Sequence, residues 1–150
     1  MSGTYAAAVQ RILIGRLLAT AGAAVGAVGT FVPWLRSGTR QRNSYEIFSL
    51  VDRLGFSQSS VIGWGLRLWP VLPFLLVLAV TLQWFRRRWI TGLVTIVVVA
   101  YAGTVSLAVR SAPSSSLITI EPGSVVTLIG MIVLAVGALV ATPLPESSVT

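Results

Sequence analysis

Long apolar runs dominate the chain and are separated by shorter polar stretches. A helix needs about 20 mostly apolar residues to cross the hydrocarbon core of a bilayer. Four segments reach or approach this length, residues 12–32, 68–85, 89–109 and 125–141. The pattern therefore predicts an all-α membrane protein, a single transmembrane domain over residues 1–150 in which four antiparallel helices form a bundle.

Residues typical of membrane interfaces lie at the ends of these segments. Pro33 and Trp34 follow the first one. Trp84 and Trp89 flank a run of three arginines, which we expect to anchor the cytoplasmic side: Arg86, Arg87 and Arg88. Because this connection is so short, the second and third helices are predicted to form a tight antiparallel hairpin.

The first segment has an alternative interpretation as a cleavable signal peptide, because it follows basic residues and contains small side chains. Its apolar run after Arg16 is longer than the roughly 7–15 residues of a signal peptide. We therefore expect a retained helix, in which Arg16 is an end anchor that extends toward the lipid headgroups.

An even number of crossings places both termini on the same side of the membrane. With the termini inside, the cytoplasmic arginines are Arg11, Arg16, Arg86, Arg87 and Arg88. The opposite side then carries nearly the same number, Arg36, Arg40, Arg42, Arg53, Arg67 and Arg110. We favour cytoplasmic termini in a bacterial plasma membrane, because arginines precede the first helix and the arginine triplet is the densest basic cluster.

The first extracytoplasmic loop, residues 33–67, is long and patterned. Ser37, Gly38 and Thr39 form a turn signal ahead of a polar stretch, which indicates a short β-hairpin. Ser44 is expected to cap a helix over residues 45–54, and Gly55 is expected to end it.

This predicted short helix is amphipathic. Its apolar side chains fall on one face, Ile47, Phe48, Leu50, Val51 and Leu54. Such a helix either lies in the membrane interface against lipid or a partner, or covers its own bundle. Under the first interpretation, Trp34, Ile47, Phe48 and Val51 contact a partner or lipid headgroups.

The second outer loop, residues 110–124, contains the β-prone run 117–120. A strand here would join the hairpin in a small β-sheet that covers the same end of the bundle. Four arginines would make this surface basic, Arg36, Arg40, Arg42 and Arg67. Guanidinium groups suit phosphates or carboxylates of lipid, envelope polymer or a partner protein, and the alternative is an ordinary solvated surface.

Glycines recur at regular intervals in the first and last segments. Gly15, Gly22 and Gly29 are seven residues apart, Gly26 adds a second small pair, and Gly123, Gly130 and Gly137 repeat the interval. Small residues allow helix backbones to approach closely in lipid, so we expect the first and fourth helices to pack antiparallel. The alternative is that glycine is simply frequent in membrane helices.

Composition supports a membrane location. Hydrophobic residues make up 55% of the chain and charged residues only 10%, whereas soluble domains have roughly 25% charged residues. The net charge of +7 would suggest nucleic acid in a soluble protein. Because the arginines flank apolar segments, membrane lipids are the expected counter-ions and no nucleic-acid partner is expected.

The chain has few residues that perform chemistry. It contains no Cys and no His, and its acids, Glu46, Asp52, Glu121 and Glu146, lie outside the long apolar runs. We therefore expect no catalytic residue, no metal site, no cofactor and no enzyme activity. Coupled transport is also disfavoured, because it requires an ionisable residue inside the bundle.

The chain resembles two groups of membrane proteins. The layout of four helices with a long first outer loop, together with Trp34, Gly65 and Leu66, resembles the claudin arrangement. It departs from that pattern at Arg67 and in lacking the paired cysteines, so junction formation does not carry over. Residues 31–38 and 121–123 are similar to small four-helix membrane proteins of actinobacteria, which implies the fold and no particular chemistry.

These observations favour a non-catalytic accessory or scaffold subunit. It would dock to another integral membrane protein and stabilise or regulate a larger cell-envelope or transport complex. The alternative is a small homo-oligomeric transporter or a lipid-binding membrane protein.

Overall fold

The computed structural model describes residues 2–53, 67–85, 88–111 and 118–142, most of which are helical. Within these ranges the elements are, in chain order, α1 (Ser2–Phe31), β1 (Leu35–Ser37), β2 (Arg40–Arg42), α2 (Ser44–Arg53), α3 (Leu72–Trp84), α4 (Arg88–Arg110), β3 (Ile118–Ile120) and α5 (Gly123–Ala141). A 3₁₀ turn at Trp69–Val71 leads into α3.

Three of these helices are long and apolar enough to cross a membrane: residues 6–31 of α1, 89–110 of α4, and α5. Large apolar side chains cover their outer surfaces, and Ile96 and Leu139 are 69% and 71% exposed. Exposure of such apolar surfaces to lipid tails is not unfavourable, whereas their exposure to water is. The described chain therefore has the character of a helical membrane protein.

The second apolar segment is shorter than the sequence predicts. Instead of one helix over residues 68–85, it contains the 3₁₀ turn and the 13-residue helix α3. Pro70 and Pro73 lie where these two elements begin, because proline lacks an amide donor and is tolerated in a first turn. At 1.5 Å per residue α3 spans about 20 Å, so the described residues contain three membrane-length helices rather than four.

Helix α1 begins ten residues before the predicted boundary at residue 12. The apolar run marks the hydrocarbon layer, but a helix continues beyond it where the sequence favours helix. Residues 6–8 are alanines, and alanine has the highest helix propensity of the residue types. Arg11 therefore lies on α1 itself rather than in a segment preceding it.

Glycines form the contact between α1 and α5, which lie side by side in antiparallel orientation. A Cβ added at Gly22 would lie 2.8 Å from the Gly130 carbonyl oxygen. One added at Gly137 would lie 2.7 Å from the carbonyl oxygen of Gly15. The two backbones are thus in direct contact along the helices, in the pairing that the glycine spacing predicts.

The other two apolar helices complete the packing. Helix α4 packs against α5 and α3, and α3 also contacts α1. At the α3–α4 hairpin, the Thr91 hydroxyl donates a 3.0 Å hydrogen bond to the carbonyl oxygen of Leu82. The buried face of α4 includes Thr95, Val98, Ala102 and Ser106, which recur at helical spacing.

The three strands form a small antiparallel sheet in the order β2-β1-β3. Gly38 turns the hairpin between β1 and β2 with a φ of 60°, a left-handed conformation that glycine adopts without steric cost. Strand β3 pairs with β1, with Ile120 opposite Leu35. The hairpin is therefore confirmed, and so is the additional strand predicted from residues 117–120, which the structure shows over Ile118–Ile120.

Candidate functional site

The sheet, α2 and the 3₁₀ turn lie together where α1 ends and α5 begins, and we call this region the cap. Backbone hydrogen bonds connect the residues that directly follow α1 with the sheet and with the start of α5. The Trp34 amide donates to the Arg42 carbonyl oxygen at 2.9 Å, and the Glu121 amide donates to the Trp34 carbonyl oxygen at 2.9 Å. Gly123, the first residue of α5, donates to the Pro33 carbonyl oxygen at 2.9 Å. The cap is therefore continuous with the packed helices.

An aromatic cluster fills the space beneath the cap. The Trp69 ring lies 5.4 Å from Trp34, 5.0 Å from Phe48 and 5.7 Å from Tyr101, measured between ring centroids. Trp34 and Trp69 are fully buried, and their rings meet edge to face, an arrangement that stabilises aromatic pairs. The cluster joins the end of α1, helix α2, the 3₁₀ turn and α4.

Hydrogen bonds satisfy the polar atoms inside this cluster. The Ser44 hydroxyl donates to the Thr30 carbonyl oxygen at 2.7 Å and accepts from the Trp69 indole nitrogen at 2.9 Å. The Trp34 indole nitrogen donates to the Gly29 carbonyl oxygen at 2.9 Å. Buried indole groups require such partners, so α2 and the 3₁₀ turn are held in a fixed position on α1.

Ser44 does not cap α2, and that prediction is wrong. Asn43 takes this role, because its Oδ1 accepts a 3.0 Å hydrogen bond from the Glu46 amide. The Glu46 carboxylate in turn accepts a 3.3 Å hydrogen bond from the Asn43 amide, which completes a capping box. The Ser44 side chain instead points into the core, where it is fully buried.

Trp34 and Phe48 are also placed differently from the prediction that they contact a partner or headgroups. Trp34 has no exposed surface, and Phe48 is only 9% exposed. Both rings pack against Trp69 instead, because large aromatic side chains gain most from burial. Of the two interpretations of the amphipathic helix, α2 therefore follows the one in which it covers its own bundle.

A basic groove lies on the outer side of the cap, between the edge strand β2 and α2. It has a volume of about 440 Å³ and is lined by Arg40, Gln41, Arg42, Glu46, Ser49, Leu50 and Arg53. The described lining contains three arginines and one glutamate, so its net charge is positive. We call it the arginine groove.

The sequence predicts Arg40 and Arg42 as contact residues, whereas Arg53 joins them in this groove without having been predicted. The missing signal was helical spacing, since Glu46, Ser49 and Arg53 recur three and four residues apart and therefore share one face of α2. That face lies opposite the apolar side chains that contact the aromatic cluster.

The remaining predicted contact residues lie elsewhere. Arg36 is opposite Gln41 and Thr119 in the sheet, while Arg42 is opposite Leu35. Side chains alternate across a strand, so Arg36 and Arg42 lie on opposite faces. Arg67 is exposed beside the 3₁₀ turn and does not line the groove.

Ile47 is half-buried and packs against the aromatic core, whereas the side chain of Val51 is outside the described part of the structure. Of the predicted cytoplasmic anchors, Arg86 and Arg87 are outside the described residues. Arg88 begins α4, but its side chain is likewise outside the described part of the structure.

The groove supplies guanidinium groups, an amide and a hydroxyl, which together suit a carboxylate or phosphate ligand. Within the described ranges, no group of three or more His, Cys, Asp or Glu side chains is placed to hold a metal ion. Recognition of an anionic group is therefore the chemistry that this arrangement supports.

Comparison of the chain with protein-family models, with curated proteins and with solved structures gave no match in any of the three. The proposal for function therefore depends on the geometry of the cap and of the helices.

Proposed function

We propose that the protein is a non-catalytic accessory subunit of the bacterial plasma membrane. Its helices form a scaffold in the bilayer, and its arginine groove binds an acidic segment of a partner membrane protein. Docking of this kind would stabilise or regulate a larger cell-envelope or transport complex.

The observation that supports this proposal is the contrast between the two faces of α2. Its inner face is fixed by contacts of Phe48 with two tryptophans. Its outer face places Arg53 beside Arg40 and Arg42, in a groove whose described lining contains one acidic side chain, Glu46. Because the inner face fixes the backbone of α2, only the arginine side chains lose conformational freedom when the groove binds a carboxylate-rich ligand.

The proposal includes four crossings with cytoplasmic termini. Helix α3 and its 3₁₀ turn would make the fourth crossing, because Trp69 packs in the cap and Trp84 lies near Arg16 toward the other end of α1. A reporter fused after Thr150 should be active only in the cytoplasm. Activity restricted to the opposite side would reverse the orientation and place the arginine groove inside the cell.

The test of docking uses the full chain in its native membrane. A photo-crosslinking amino acid at Ser49 should form a protein adduct in the wild type. Neutralising the groove with R40Q, R42Q and R53Q together should reduce the adduct about tenfold, since exposed ion pairs each contribute roughly 0.2–1 kcal/mol. R36Q is the matched control, because it removes one arginine from the opposite face of the same sheet.

Two results would contradict the proposal. One is an adduct of equal yield in the neutralised variant and in R36Q, which would show that the arginines do not select the partner. The other is a substrate gradient generated by the purified protein in sealed vesicles, which would favour the transporter alternative instead.

A further inference from the structure

A second cavity lies at the end of the helices farthest from the cap, and it is independent of the arginine groove. It has a volume of about 130 Å³ and is partly open. Its polar wall includes Arg16, Gln83 and Thr95, and apolar residues such as Ile12, Leu82 and Ala138 complete it. A space of this size has room for several waters or for one compact polar group.

Two side chains in this wall are buried and have no hydrogen-bond partner among the residues that the structure describes. Gln83 is 8% exposed and Thr95 is 4% exposed. Within the described ranges, neither the amide nitrogen and oxygen of Gln83 nor the Thr95 hydroxyl has a partner. Burial of unpaired amides and hydroxyls is unfavourable, so their position beside a cavity indicates that a bound group supplies the missing bonds.

Arg16 adds a permanent positive charge to the same wall. Its guanidinium carbon lies 5.5 Å from the centroid of the Trp84 ring, a cation–π contact that uses the face of the guanidinium group. In the part of the chain that the structure describes, no carboxylate pairs with it. Its N–H edge can therefore donate to an anion in the cavity.

The cavity lies toward the membrane interface opposite the cap, where a long arginine side chain extends to the lipid headgroups. Arg16 precedes the end of α1 at Phe31 by 15 residues, which is about 22 Å along the helix axis. Trp84 and Trp89, at the same end of the helices, are 47% and 81% exposed. Exposed tryptophans mark the membrane interface, where lipid phosphates lie.

We propose that this cavity binds the phosphate group of an acidic phospholipid, with Arg16, Gln83 and Thr95 as its contacts. The guanidinium group, the amide N–H and the hydroxyl all donate hydrogen bonds to phosphate oxygens. The Gln83 carbonyl oxygen then accepts from a headgroup hydroxyl or a bound water. Inorganic phosphate presents the same oxygens, and the experiment separates these two sources.

The experiment is native mass spectrometry of the full-length protein in detergent, titrated with phosphatidylglycerol, phosphatidylcholine or inorganic phosphate. Phosphatidylcholine has the same phosphate oxygens, but Arg16 repels its quaternary ammonium and it has no headgroup hydroxyl to donate to the Gln83 carbonyl oxygen. Phosphatidylglycerol should therefore bind about tenfold more tightly, since one such interaction changes an equilibrium constant by about this factor. R16Q should abolish this selectivity, and so should Q83L combined with T95V.

Two variants serve as matched controls. R11Q removes a neighbouring arginine of α1 whose side chain donates to carbonyl oxygens of Val140 and Thr142 rather than lining the cavity. S106A removes an equally buried hydroxyl of α4 that has no partner among the described residues. Ser106 lies 11 residues and about 16 Å from Thr95. Both controls should retain the wild-type lipid selectivity.

The double variant Q83L/T95V distinguishes a ligand site from poorly satisfied packing. It removes unpaired polar atoms, so its stability without lipid should equal or exceed that of the wild type. If it also retained selective binding of phosphatidylglycerol, the proposal would be overturned. Equal binding of both lipids by the wild type, with no response to phosphate, would overturn it as well.

Binding of inorganic phosphate that matches phosphatidylglycerol and is lost in R16Q would support the phosphate site and identify a soluble source. None of these results depends on the arginine groove. Failure of the docking experiment and failure of this one are therefore separate outcomes.

Discussion

The indole nitrogen of Trp69 donates a 2.9 Å hydrogen bond to the hydroxyl oxygen of Ser44, which lies 25 residues earlier in the chain. The same hydroxyl donates to the Thr30 carbonyl oxygen in the last turn of α1. One small side chain thus connects three elements inside an apolar core. This buried connection holds α2 and the 3₁₀ turn against the end of α1.

Replacing Ser44 with alanine should therefore destabilise the protein. S44A leaves the Trp69 nitrogen and the Thr30 carbonyl oxygen buried without this partner, at a cost of about 1–3 kcal/mol. The measurement is the free energy of unfolding by titration with sodium dodecyl sulfate, followed by circular dichroism. S49A is the control, because the exposed Ser49 hydroxyl donates only to the Glu46 carbonyl oxygen of its own helix. Equal effects of S44A and S49A would contradict the role given to Ser44.

The contact between α1 and α5 gives a second prediction. A Cβ at Gly22 would lie 2.8 Å from the Gly130 carbonyl oxygen, and backbone atoms cannot move aside as a flexible side chain can. G22A should therefore separate the helices and cost about 1–3 kcal/mol. At Gly103 of α4 a Cβ meets no atom of the described residues within 4 Å, so G103A should be neutral or stabilising by up to about 1 kcal/mol.

Unfolding titrations of these two variants provide the comparison. If glycine were present only because it is common in membrane helices, G22A and G103A would have similar stabilities. A lower stability of G22A than of G103A would instead show that glycine at position 22 is needed for the backbone contact with Gly130.

The sequence predicted the elements of this fold better than the orientations of their side chains. Apolar runs predict where helices lie, since the hydrocarbon layer requires them, and the seven-residue glycine interval predicts which helices touch. Gly38 with its neighbours predicts the hairpin, because turn residues act locally. These features depend on short stretches of chain or on simple repeats.

The candidate sites were harder to predict because they depend on the rotation of whole elements. Trp34 has an amphipathic ring that suits an interface as well as a core, and only the position of Trp69 shows that it is buried. Gln83 lies near the end of an apolar segment, where composition alone predicts exposure. It is buried because the rotation of α3 turns it toward the cavity beside Arg16.

The capping box of α2 gives a third prediction. N43A removes the side-chain oxygen that accepts from the Glu46 amide, so it should cost about 1 kcal/mol and increase fraying of the first turn. N43S keeps a capping oxygen and should recover most of the loss. Hydrogen exchange of the amides near Glu46 measures the fraying directly. Unchanged exchange in N43A would contradict the assignment of Asn43 as the cap.

The last prediction concerns Arg11, whose guanidinium group donates to the Val140 and Thr142 carbonyl oxygens at the end of α5. The final carbonyl groups of a helix lack partners within the helix, and a cation there also interacts favourably with the helix dipole. R11Q should therefore lower stability by about 1 kcal/mol, and R11K should retain part of the effect because it keeps the charge.

Hydrogen exchange of the last turn of α5 and the unfolding titration should both respond to R11Q. Lipid selectivity should not, because Arg11 does not line the cavity of Arg16. R16Q should produce the opposite pattern, with selectivity lost and the exchange of that turn unchanged. If both arginines affected both measurements equally, they would act only through the total positive charge at this end of the helices, and the separate roles assigned to them would be wrong.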